Sequence, residues 1–123
     1  MGYRSQVSSI IYESKEKLDA FKDKNKELLT MLEDEFNDGS LKYIETPEYN
    51  FIYLQSSDGW KWYDSFKEVK GWHDLMDKAD EDKLAVEFVR IGEDYEDIET
   101  DYRGDSDLLN YYLSVERFVE ANF

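Results

Sequence analysis

The sequence predicts a single α+β domain. Two segments repeat apolar residues at helical spacing. Short β-rich runs separate them, and Gly, Asn, Asp or Pro marks the turns between. A chain of 123 residues is the size of one ordinary domain with one core, so residues 1–123 are taken as one unit.

Residues 6–12, rich in Val, Ile and Ser, predict the first strand, and Ser14 stands where a helix N-cap is wanted. Leu18, Phe21, Leu28, Leu32 and Phe36 then recur at intervals of three, four and seven with Lys, Asp and Glu between them, which predicts one long amphipathic helix. Asn37, Asp38 and Gly39 end it, because glycine tolerates the left-handed backbone that helices often finish in. Residues 41–45 predict an extended segment with Pro47 at an edge or bulge. YNFIYL at 49–54 is apolar on both alternating faces, as an interior strand requires.

Ser56, Ser57, Asp58 and Gly59 predict a turn, from which WKWY at 60–63 returns as the second arm of a hairpin. Ser65 and Glu68 have capping-box spacing ahead of a helix carrying Phe66, Val69, Trp72, Met76 and Ala79 on one side. Gly71 inside it is expected to admit a closely packed neighbour. LAVEFVRI at 84–91 predicts another interior strand, and Ile98, Thr100 and Tyr102 a short one. Beyond a turn at 104–107, Leu109, Tyr111, Leu113, Val115 and Val119 alternate as a strand, although Leu108, Tyr112, Val115 and Val119 also fit helical spacing. This order is the β-α-β-β-α-β plan of a ferredoxin-like sandwich with a C-terminal β-hairpin extension. Helices on one side would leave the other sheet face partly open.

Function is constrained first by charge. Thirty acidic residues against 15 basic give a net charge of −15, a field that opposes nucleic-acid phosphate and anionic membranes and attracts cationic surfaces. With no cysteine there is neither a disulfide nor a thiolate site, and no stretch approaches the ~20 apolar residues of a membrane-spanning helix. A cytoplasmic protein is expected, bound directly to neither nucleic acid nor membrane.

The opening MGYRS at 1–5, WKWY at 60–63 and FVRIGEDYEDIE at 88–99, with its RIGED run and trailing DIE, together resemble a family of small, mostly uncharacterised proteins encoded by bacteriophages and prophages. The resemblance spans nearly the whole chain. It implies a stand-alone domain acting in a host bacterial cell, where such genes often encode inhibitors of host machinery or antiviral defence, anti-CRISPR proteins included. It supplies no catalytic residues.

The acidic run is the principal candidate site. Glu93, Asp94, Glu96, Asp97, Glu99, Asp101, Asp105 and Asp107 would meet the basic residues of a partner much as phosphates do, making the protein a DNA mimic; the plain alternative is a solvated loop. Calcium does not suit it, since no register places Gly and Glu where an EF-hand loop needs them. Trp60, Trp62, Tyr63 and Trp72 form an aromatic cluster for which core packing is one reading. The other is that Tyr49, Phe51, Tyr53, Trp60 and Trp62 show several rings on an uncovered sheet face and anchor Arg or Lys of a basic host or defence protein. Arg4 and Arg90 are expected in carboxylate pairs that orient the acidic loop, Arg90 with Glu93, Asp94 or Asp97.

His73, the lone histidine, is expected on the second helix beside Trp72, at the edge of the core or on the surface, and neither a Gly-x-Ser-x-Gly elbow nor a phosphate-binding glycine loop occurs. A non-enzymatic binding protein without metal or cofactor is therefore expected. A self-associating module such as a homodimer is the alternative, with a small-ligand or metal binder a weaker one.

Overall fold

Among the described residues, ten elements follow one another: β1 (Ser5–Glu13), α1 (Lys15–Lys24), α2 (Lys26–Glu35), β2 (Leu41–Glu45), β3 (Asn50–Gln55), α3 (Lys67–Glu81), β4 (Ala85–Gly92), β5 (Ile98–Arg103), β6 (Leu113–Val115) and β7 (Val119–Ala121). They are seen in a computed structural model that describes residues 3–56, 59–94, 96–105, 108–115 and 119–121. The fold is α+β. Strands β1 to β5 form one antiparallel sheet in the order β2-β3-β1-β4-β5, and β6 pairs with β7 in a separate ladder.

The central position of β1 follows from its composition. Every residue but Gln6 is buried, because both faces of the strand are covered. Val7 and Ile11 join Ile52, Leu54, Val86 and Phe88 against the helices, where Leu18, Phe21, Leu32, Trp72, Leu75 and Met76 complete the larger core. Ile10 and Tyr12 point to the opposite face, with Phe51, Tyr53, Ala85 and Val89, and there Leu109 and Leu113 of the C-terminal segment cover them. The face expected to lie partly open is therefore roofed.

Several local expectations are corrected. The single long helix is two, broken at Asn25 (φ −113°, ψ 28°). The Asn25 side-chain amide donates to the Phe21 carbonyl at 2.9 Å, so a buried asparagine completes the end of α1 while its own carbonyl accepts from Leu29 to start α2. Ser14 precedes α1 but does not cap it through its hydroxyl. Likewise α3 starts at Lys67 with no side-chain cap from Ser65. WKWY is not a strand: Trp60 makes one isolated bridge to Ser5, and the chain then turns into α3. Arg103 closes β5 against β4, so the terminal hairpin is not β5 with the C-terminal run but β6 with β7. The strand alternation through Tyr111 is interrupted by that residue's left-handed backbone (φ 54°).

Gly71 has the role its position implies. A Cβ there would lie 2.6 Å from Met31 Cε and 3.0 Å from Leu32 Cδ2, so its absence lets α2 and α3 pack in close contact.

Candidate functional site

One end of the main sheet gathers the WKWY segment and the acidic loop. Ser5 pairs with Gly92 of β4 on one side, while on the other it exchanges backbone hydrogen bonds of 2.7 and 2.8 Å with Trp60. Strands neighbour one another at ~4.8 Å, so the Trp60 and Gly92 backbones lie roughly 10 Å apart across β1.

The loop is anchored from inside. Arg90 donates to both Asp97 oxygens, at 2.7 and 3.1 Å, and through Nε to Glu99 at 2.9 Å; its Nη1 also reaches the Ser5 hydroxyl at 3.0 Å. Such a fork on a carboxylate holds direction as well as charge. Tyr3 adds a second clamp: its hydroxyl donates to Asp97 Oδ2 at 2.6 Å and accepts the Asp94 N–H at 3.0 Å. Gly92 makes room, since any side chain there would collide with the Tyr3 hydroxyl and the Asp97 carboxylate.

These contacts shift the groups that make them. The Arg90 guanidinium, then the Tyr3 hydroxyl, hold Asp97 down to about 2, and the hydrogen bond to Asp97 raises Tyr3. Arg90 is raised, chiefly by its bond to Asp97. A carboxylate depressed on folding adds stability that is complete above its ordinary value of 3.8 and is lost as pH falls toward 2. The loop should accordingly keep its Tyr3 and Arg90 contacts at pH 4 and release them near pH 2. An Asp97 carboxyl carbon resonance titrating near 3.8 instead would contradict the clamp.

The predicted carboxylates divide into two sets. Asp97 and Glu99 are paired with Arg90, and Asp101 lies 3.2 Å from Arg103, which also meets Asp77 and Asp80. Glu93, Asp94, Glu96 and Asp105 are exposed, with no ion pair among the described residues. Asp107 lies outside the described residues, as do Ser57 and Asp58 of the expected turn. Arg4 donates to the Gly59 carbonyl at 3.0 Å rather than to a carboxylate among the described residues, and so braces the approach to Trp60. His73 stands beside the rings of Trp62 and Phe88 and lines an open groove with Asp64, Lys70, Asp74, Asp77 and Glu99.

Most of the aromatic residues follow the core-packing reading rather than the open-face one. Tyr12, Phe51 and Tyr53 are buried on the far face, where Tyr112 packs edge-on to Tyr12 and Phe51 with centroids 5.1 and 5.2 Å away. Trp60 and Trp62 lie on the helix side instead, nearly parallel at 5.7 Å, with Phe36 beside both. Trp72 is fully buried and Trp62 is 9% exposed, whereas Trp60 and Tyr63 are half-buried. A cleft of about 230 Å³ opens here, lined by Phe36, Trp60, Trp62 and Phe66 together with Glu35, Asp38 and Glu68. Sequence reasoning missed Phe36 and these three acids. The signal was Glu35, Phe36 and Asp38 at the end of a helix whose last turn has no base.

Glu87 was also missed. It is wholly buried in β4, where one carboxyl oxygen accepts from the Tyr12 hydroxyl at 2.6 Å and the other from the Leu113 N–H at 3.0 Å. Tyr12 in turn accepts from the Asn110 N–H at 2.9 Å, and burial followed by the Glu87 bond pushes its hydroxyl far up. A lone acid within LAVEFVRI was the available sign. In comparisons with protein-family models, curated proteins and solved structures, nothing matches this chain.

Proposed function

We propose that the protein is a small acidic, non-enzymatic binding protein that occludes a basic, nucleic-acid-binding surface of another protein. The observation that carries this reading is the pinned loop: a chain of net charge −15 spends Arg90 and Tyr3 on holding one acidic turn in place while Glu93, Asp94 and Glu96 face solvent. A loop kept only for solubility needs no such clamp. Acids of this kind steer encounter, and a fixed backbone lowers the entropy lost on docking.

A phage or prophage origin, action in the cytoplasm of a host bacterium, and inhibition of a defence protein in the anti-CRISPR manner belong to the same proposal, supported by the MGYRS and RIGED…DIE resemblance. The ferredoxin-like plan belongs to it as well. Its support is the order β2-β3-β1-β4 with α1 and α2 between β1 and β2 and α3 between β3 and β4, to which β5 adds an edge.

The test is a pull-down from bacterial lysate at low and high salt, followed by association kinetics with the captured protein. Changing Glu93, Asp94, Glu96 and Asp105 to Lys should slow association about tenfold or more at low salt, and added salt should erase the difference. A partner indifferent to both reversal and salt would remove the proposal.

A further inference from the structure

The cleft at the end of α2 has a chemistry of its own. Phe36, Trp60 and Trp62 have ring planes within 30° of one another with centroids 5.3, 5.7 and 6.4 Å apart, so they form an offset aromatic stack rather than a box closed on several sides. Glu35, Asp38 and Glu68 line the same space against Lys61. Lys67 stands 3.5 Å from Glu35 at a mostly solvent-exposed position, a contact that a better-placed cation can displace.

The occupant must be cationic for the three acids and flat to extend the stack of rings. A quaternary ammonium prefers rings around it, and a lysine ammonium is compact and tightly hydrated. A guanidinium is planar, weakly hydrated, stacks on indole and forks to carboxylates. We propose that this cleft is a pocket for a single arginine side chain of the partner. The inference rests on the reading that the partner is basic and names what it inserts: the loop across β1 attracts the partner, and the cleft holds one of its residues.

The probe is N-acetyl-arginine N-methylamide, titrated into the full chain while the indole N–H resonances are followed. The signals of Trp60 and Trp62 should shift saturably and that of the core Trp72 should not. Trp60→Leu should weaken binding about tenfold. Glu68→Gln, which leaves the aromatic stack intact and guards against a folding defect in the first variant, should weaken it about threefold. Silent indoles, or equal shifts with the norvaline analogue, would overturn the pocket, and equal shifts with the lysine analogue would overturn its preference for guanidinium. The two proposals fail separately. Silent indoles beside a salt-sensitive partner lost on reversal of the loop acids leave the basic-partner reading standing. Saturating indoles beside a captured partner indifferent to that reversal leave an arginine pocket and remove the loop.

Discussion

Glu87→Ala is expected to release the C-terminal segment from the sheet and to destabilise the protein by about 3–5 kcal/mol. The carboxyl group is wholly buried and serves as acceptor for two donors, the Tyr12 hydroxyl and the Leu113 N–H, while Tyr12 holds Asn110 in turn. Alanine would leave both donors buried without acceptors, at ~1–3 kcal/mol each, and would open a void between β4 and the segment. In a domain whose whole stability is on the order of 5–15 kcal/mol, that is a large share. Urea unfolding gives the loss. Hydrogen exchange locates it, since the Asn110 and Leu113 amides should lose protection before those of β1 do. Tyr12→Phe keeps the Leu113 bond and should cost less, about 1–2 kcal/mol. An unchanged urea midpoint in Glu87→Ala would show that the segment is held by something else.

Trp72→Ala should cost a similar amount, about 3–5 kcal/mol, for a different reason. The ring is fully buried among the residues that join α3 to the sheet and to α2. Relaxation cannot fill the space it leaves, because Gly71 already brings α3 into contact with Met31 and Leu32. Trp72→Phe keeps much of the volume and removes an indole N–H that has no acceptor among the described residues, so it should cost no more than about 2 kcal/mol. A loss below about 1 kcal/mol for the alanine variant, measured by the same unfolding curves, would mean that the core does not depend on this residue.

What the sequence disclosed depended on whether one residue's neighbours were enough to determine its state. Strands β3 and β4 are apolar on both alternating faces, and only an interior strand covered on both sides suits that composition, so they were legible as interior strands, whereas the serine-rich β1 was legible only as a strand. Arg90 was legible too: in a chain so rich in acid, an arginine two residues before Gly92 finds a carboxylate nearby, and Asp97 and Glu99 are what it finds. The helix break was not, because the spacing of Leu18, Phe21, Leu28 and Leu32 runs on through Asn25, whose side-chain amide adds a second hydrogen bond to the Phe21 carbonyl beside that of its backbone N–H. WKWY has strand-like residues, yet Trp60 and Trp62 are claimed by Phe36, a contact no local pattern encodes. The roof over the far face escaped for the same reason, as it depends on Glu87 meeting Leu113 across 26 residues. Which loop acids remain exposed depended on the β4–β5 register, where Arg90 lies opposite Glu99.

The place of β1 in the sheet also governs how the chain acquires its shape. The first strand sits between β3 and β4, with Tyr12 opposite Phe51 and Ser5 opposite Gly92, so neither of its pairings can form until distant stretches of polypeptide have met. The β2–β3 and β4–β5 hairpins close over short loops and can zip early; insertion of β1 between them must wait for long loops to close, which puts the rate in the slow range, about milliseconds to seconds, typical of non-local β topologies. Until that happens Val7, Ile10 and Ile11 are bare, and the earliest strand to be synthesised is the one most in need of protection from its neighbours in a crowded cell.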